Sequence, residues 1–144
     1  MKYIVTGAAG LIGSSMIWKL NQEGITDILA VDHLGESEKW KNLRALSYAD
    51  YMEREDFLDL LLTDALPEDV ECVIHMGACS STTEKDATYL VHNNFEYTKA
   101  LARYCAEKKI KFLYASSAAT YGDGEKGYKD DEPKRLPPPG DRCS

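Results

Sequence analysis

Gly7, Gly10 and Gly13 recur at three-residue steps in Gly7-Ala-Ala-Gly10-Leu-Ile-Gly13, directly after the short apolar run Lys2-Tyr-Ile-Val-Thr6. Glycines placed there permit a tight turn, let the backbone approach a pyrophosphate and let the following helix pack closely on the strand. The backbone N–H groups that open that helix then face the phosphates. No Lys-Ser/Thr pair ends the run, which excludes a Walker phosphate loop. Asp32 stands 19 residues after Gly13, close to where an acid that binds the adenosine ribose hydroxyls is expected. A carboxylate there favours NAD, because it repels the 2′-phosphate of NADP. His33, Lys39 and Arg54 are near in sequence and would offset that repulsion if they converge on the phosphate. Lys39 and Arg54 read equally well as solvated surface charges.

Farther along, Gly77-Ala78-Cys79-Ser80 offers small side chains and amides where the middle of a dinucleotide must pass. Its simpler reading is a flexible polar loop. Asn93 is a polar residue on the buried side of a helical stripe, and burial penalises it unless it is paired. It either holds active-site loops in place or makes a plain structural hydrogen bond. Ser116 and Ser117, with Thr120 and Tyr121 behind them, follow an apolar run. A hydroxyl there can donate to a substrate oxygen that becomes a carbonyl during hydride transfer; capping or turn bonding is the alternative. No metal site is expected. Cys72 and His75 lie on one predicted strand at an odd separation, so they face opposite sides and cannot share an ion with Cys79.

The elements that position these residues alternate. Predicted strands cover Lys2–Thr6, Ile28–Val31, Leu43–Asp50, Val70–His75 and Lys111–Ser116. Helices are expected after Gly13, over Glu55–Leu66 with Pro67 as the stop, and over about Asp86–Lys108 along Leu90, Asn94, Tyr97, Leu101 and Tyr104. Strands alternating with helices across short loops imply βαβ units, and so an α/β fold: a parallel sheet with helices on both faces. After Gly122 the pattern dissolves into glycines, acids and the proline run of Leu136-Pro-Pro-Pro-Gly140.

Composition limits the partners. Seventeen Lys+Arg against 24 Asp+Glu leave a net charge of −7, which favours neither nucleic acid nor an anionic membrane surface. No apolar run approaches the ~20 residues of a membrane span, and the start turns polar too soon for a signal peptide, so a cytoplasmic protein is expected. Cys72, Cys79, Cys105 and Cys143 form no Cys-x-x-Cys pair and are expected to be reduced and packed.

Thr6-Gly-Ala-Ala-Gly-Leu-Ile-Gly-Ser14, Asp32 and Tyr114-Ala-Ser-Ser-Ala-Ala-Thr-Tyr-Gly122 resemble the extended short-chain dehydrogenase/reductases that act on nucleotide sugars. Gly24-Ile-Thr-Asp-Ile-Leu29, Ala49-Asp-Tyr-Met52, Glu55-Asp-Phe-Leu58 and above all Gly77-Ala-Cys-Ser-Ser-Thr-Thr-Glu84 are similar to the ADP-L-glycero-D-manno-heptose 6-epimerases among them. The resemblance covers about Met1 to Gly122 and implies a Rossmann-like sheet, here cut off after about the fifth strand. It implies NADP rather than the NAD that Asp32 alone suggests. Position by position it puts Leu11 and Ile12 at the pyrophosphate turn, Asp32 and His33 at the adenosine ribose, and Lys39 and Arg54 on the 2′-phosphate side. Met76, Gly77, Ala78, Cys79 and Ser80 would touch the cofactor, with Asn93 beside them. His33 and Met76 stand where that family more often has Asn and Glu.

The implied reaction inverts C6 of an ADP-heptose through a 6-keto sugar and serves lipopolysaccharide core synthesis, in a homo-oligomer for a full-length member. Ser117 matches the serine that helps polarise the reacting oxygen. A Tyr-x-x-x-Lys pair is due in the stretch where this chain reads Pro139-Gly-Asp141-Arg-Cys-Ser144. Tyr104-Cys-Ala-Glu-Lys108 satisfies that spacing but precedes the Ser-bearing strand, at the far end of its helix. Residues 1–122 are therefore expected to form an incomplete dinucleotide-binding domain, 123–144 an irregular tail, and the chain an inactive fragment. The other readings are a non-catalytic dinucleotide-binding fragment or another nucleotide-sugar epimerase or dehydratase. The last strand is expected to be an unpaired sheet edge, with marginal stability or association as the result.

Overall fold

A computed structural model describes residues 1–77 and 95–115. The chain divides into two units, Met1–Tyr114 and Ala115–Ser144, and of the second only Ala115 is among the described residues. The expected boundary at Gly122 and the tail 123–144 lie outside them.

Within Met1–Tyr114 the elements are β1 (Tyr3–Thr6), α1 (Leu11–Gln22), β2 (Ile28–Asp32), a 3-10 turn (Glu38–Leu43), β3 (Asp50–Glu53), α2 (Arg54–Leu62), β4 (Cys72–His75), α3 (Tyr97–Lys108) and β5 (Lys111–Tyr114). The strands form one parallel sheet in the order β3-β2-β1-β4-β5. Parallel sheets are covered on both faces, which explains the nearly unbroken apolar strings of β1, β2 and β4. Alternate residues serve opposite faces. Ile4, Leu29, Val31 and Val73 meet Phe57 and Leu61 of α2 and Tyr97, Leu101 and Cys105 of α3. Val5, Ile28, Ala30, Cys72 and Ile74 meet Ile17 of α1 and Leu43 of the 3-10 turn. Phe57 is fully buried, so its truncation to Ala would cost about 3–5 kcal/mol.

Several expected boundaries move. The third strand is not Leu43–Asp50 but Asp50–Glu53. Leu43 closes the 3-10 turn, and the Leu46 N–H donates back to its carbonyl at 3.1 Å, so these apolar residues cap the α1 face of the core as turns. Helix α2 ends at Leu62, well before Pro67. Asp64 takes the left-handed conformation (φ 54°) and the Ala65 N–H reaches the Leu60 carbonyl at 2.8 Å, a Schellman closure that stops the helix without proline. β4 and β5 are shorter than expected, Cys72–His75 and Lys111–Tyr114. The described part of the long helix begins at Tyr97; Leu90 and Asn94 lie outside the described residues. β5 pairs with β4 alone among the described strands, and Leu113 and Tyr114 are exposed there. Cys72 and Cys105 are buried free thiols, and burial pushes the Cys105 thiol up to about 11.

Candidate functional site

β1 is the middle strand; the chain runs outward from it through β2 to β3 and then crosses back to β4 on its other side. The crevice above the strands' carboxyl ends opens where the order reverses, the usual ligand position in such sheets. There the β1–α1 turn is built from close backbone approaches. Gly7 adopts a left-handed conformation (φ 65°), and a Cβ on it would lie 2.5 Å from the Met76 carbonyl oxygen. A Cβ on Gly13 would lie 2.0 Å from the Gly7 carbonyl oxygen. Both glycines are required by contact. Gly10 donates its N–H to the Gly7 carbonyl at 3.0 Å and precedes α1 as its cap residue.

Asp32, buried at the end of β2, holds this turn. Its Oδ2 accepts the Ala9 N–H at 2.8 Å, and its Oδ1 accepts the His33 N–H at 2.7 Å and the Lys39 ammonium at 2.5 Å. The Asn42 amide donates to the Ala9 carbonyl at 2.8 Å from the other side. The charge at Asp32 is therefore kept in the core by two backbone donors and one cation.

His75 ends β4 opposite Thr6 in register. Its Nδ1 lies 2.6 Å from the Thr6 hydroxyl and its Nε2 2.8 Å from the Thr98 hydroxyl of α3. The ring meets Tyr97 edge-on at 4.9 Å and stacks with Phe112 at 6.1 Å. Burial lowers the His75 pKa to about 4, so the imidazole is neutral at pH 7. A neutral ring donates through one nitrogen and accepts through the other, and hydroxyls suit either role. The Met76 N–H then donates to the Thr6 carbonyl at 3.0 Å, which sets Met76 and Gly77 against the glycine turn.

The first turn of α1 holds no acidic residue and no side-chain cap, and Leu11 and Ile12 beside it are 81% and 56% exposed. Its opening N–H groups have no acceptor within the helix, which suits an anion. This donor set, with an acid at the end of β2, fits a dinucleotide. Gly7, Gly10, Leu11, Ile12, Gly13, Asp32, Lys39, Met76 and Gly77 thus gather at the exits of β1, β2 and β4. His33 and Arg54, also near the exit of β2, turn toward acids. His33 Nδ1 faces Glu53 at 3.4 Å and Glu55 at 3.6 Å, and Arg54 binds Glu55 through Nη2 at 2.7 Å. Ala78, Cys79, Ser80, Asn93 and Ser117 lie outside the described residues, as do Ser116, Thr120 and Tyr121.

Cys72 and His75 do face opposite sides of the sheet. Tyr104 lies at the opposite end of α3 from the His75 contact, and Lys108 is held by Asp64 at 2.9 Å, so this Tyr-x-x-x-Lys match is structural. Sequence reasoning missed the bracing by His75, Thr6, Thr98 and Asn42, and the grouping of His33, Glu53 and Glu55, whose ligand atoms lie within 4.8 Å of one another. A histidine closing an apolar strand was the available signal for the first.

Residues 3–142 match the model of the NAD dependent epimerase/dehydratase family. The chain belongs to this family. Among its curated members it is 55% identical over 134 residues to the ADP-L-glycero-D-manno-heptose-6-epimerase of Nitratidesulfovibrio vulgaris, covering 93% of this chain and 42% of that one. The enzyme of the same name from Fusobacterium nucleatum is 56% identical, with 92% and 40% covered. The chain thus spans about two fifths of the length of these relatives. A UDP-glucuronic acid 4-epimerase from Bacillus cereus, solved in complex with NAD, superposes with a TM-score of 0.69 at 32% identity over 85% of this chain and 42% of its own. A UDP-glucose 4-epimerase from Thermotoga maritima, solved with UDP-glucose, gives 0.71 at 25% identity over 94% and 44%. No helix among the described residues is long and apolar enough to cross a membrane.

Proposed function

We propose that this chain carries the dinucleotide-binding part of an NADP-dependent ADP-heptose 6-epimerase. The observation that carries the reading is the glycine turn fastened by Asp32 to Ala9, in a chain 55% identical to a protein of that name. When bound, the nicotinamide would supply hydride chemistry for inversion at C6 of the sugar through a 6-keto stage. The chain's own residues bind and orient. The N–H groups opening α1 and the Gly7–Gly13 turn receive the pyrophosphate, with Leu11 and Ile12 over it; Asp32 and His33 take the adenosine ribose. The resemblance puts Lys39 and Arg54 on the 2′-phosphate side, which supports NADP, although here Lys39 pairs with Asp32 and Arg54 with Glu55. Met76 to Ser80 and Asn93 line the middle of the cofactor. Ser117 donates a hydrogen bond to the sugar oxygen as it becomes a carbonyl.

These 144 residues hold no Tyr-x-x-x-Lys pair after Ser117. Lost general acid/base groups cost about 10²- to 10⁴-fold, so the chain alone binds cofactor within residues 1–122 but does not epimerise. The reading extends to a cytoplasmic, homo-oligomeric enzyme of lipopolysaccharide core supply, supported by the resemblance to the ADP-heptose epimerases. Thermal unfolding with each nucleotide tests it: a ligand at 100 times its Kd adds about 2.7 kcal/mol. NADP is expected to stabilise more than NAD. Equal or greater stabilisation by NAD overturns the choice of NADP, and none by either overturns the reading. Interconversion of the two ADP-heptose epimers by these residues would refute their inactivity.

A further inference from the structure

The basic groups around the exit of β2 already have acid partners. Lys39 binds Asp32 at 2.5 Å, Arg54 binds Glu55 Oε1 through Nε at 3.1 Å and Nη2 at 2.7 Å, and His33 Nδ1 faces the remaining oxygens of Glu53 and Glu55. The placement is local and firm. Glu53 pairs with Asp32 in register, and its Oε1 accepts from the Tyr51 hydroxyl at 2.8 Å, which fixes Oε2 toward His33. Glu55 lies in the first turn of α2, where a carboxylate complements the helix dipole. A phosphate, with about −1.5 to −2 charges at pH 7, would be drawn to the same imidazole, guanidinium and helix start.

We propose that Glu55 is a specificity-determining residue of the dinucleotide site, holding Arg54 and His33 in the position that an adenosine 2′-phosphate would take. This rests on the reading of the β1–α1 turn as a dinucleotide site. Entry of a 2′-phosphate requires Glu55 to release both groups and leaves its carboxylate facing a second anion, whereas a 2′-hydroxyl requires neither. Glu55 therefore narrows the preference for NADP over NAD. Glu53 acts in the same sense but more weakly, because it faces His33 while one of its oxygens is taken by the Tyr51 hydroxyl.

The test is calorimetric titration of the whole 144-residue chain and its variants with NAD and NADP separately. Glu55→Gln keeps the side-chain shape and removes the charge; NADP is expected to bind about tenfold more tightly and NAD to change less than about twofold. Glu53→Gln is expected to give about a threefold gain for NADP. Arg54→Met provides a second measurement: it should weaken NADP more in the Glu55→Gln background than in the parent chain, where Glu55 holds the guanidinium. If parent and variants bind both nucleotides with an unchanged NADP-to-NAD ratio, the role of Glu55 is refuted and the dinucleotide site stands. If the folded parent binds neither, both fall. Should Glu55→Gln not fold, Glu53→Gln and Arg54→Met decide: no shift in ratio from either overturns the proposal.

Discussion

The two strands beside β1 brace the same turn by opposite means. From β2, the ionised Asp32 holds Ala9 and is itself matched by Lys39. From β4, the neutral His75 holds Thr6 and passes the tie on to Thr98 of α3. The first brace must keep a charge and the second must avoid one. A carboxylate tolerates the partly wet rim at Lys39, whereas an imidazole wedged between Tyr97 and Phe112 has, among the described residues, no nearby anion to stabilise its cation. The glycine turn is thus anchored to β2 and the 3-10 turn by electrostatics and to α3 by packing and hydroxyls, and the two anchors respond to different insults.

Removing what both braces hold should have the largest effect. Gly13→Ala puts a methyl group 2.0 Å from the Gly7 carbonyl oxygen, so urea unfolding should show a loss of more than about 4 kcal/mol or no folded state. A parent-like midpoint would mean the turn is soft and the braces are secondary. Acid should then separate the two sides. The folded His75 pKa of about 4 lies below the ordinary 6.5, so the unfolded chain takes up the proton first. That contribution to stability is complete above about pH 6.5 and is lost as pH falls toward 4, about 3 kcal/mol in all. His75→Gln should flatten the pH dependence of urea unfolding in this window by about one proton; equal slopes in parent and variant would discard the neutral brace. Lys39→Met should do least. Asp32 keeps two backbone donors and Lys39 is 34% exposed, so about 1 kcal/mol is expected, shrinking with salt. A salt-independent loss would place the pair in a drier setting than its exposure implies.

The turn and its acid were legible in the sequence because their signals are local: three spaced glycines after an apolar run, and an Asp closing the next one. The apolar strings of β1, β2 and β4 and the stripe Tyr97-Leu101-Tyr104 were equally plain. β3 was misplaced because it is an edge strand, Asp-Tyr-Met-Glu, with too few apolar residues to outweigh the richer Leu43–Tyr48 stretch before it. The end of α2 was missed because Asp64 stops it through an uncommon backbone conformation that composition does not mark. Braces such as His75 with Thr6, and the turning of His33 toward Glu53 and Glu55, join residues that no periodicity relates; in the second case a side chain expected to serve a phosphate faces two neighbouring acids instead. Ser117, Asn93 and Ala78 to Ser80 stand as sequence readings, outside the described residues.

The first strand of the chain lies at the centre of the sheet, so its two braces span very different lengths of chain. The Ala9–Asp32 brace closes a span of 23 residues, whereas the Thr6–His75 brace closes one of 69. Chain-closure entropy makes the longer span costlier by about 1 kcal/mol, since the cost grows as the logarithm of length. The neutral brace is thus the longer closure, the latch that ties the β4 half of the sheet to the turn that β2 already holds nearby.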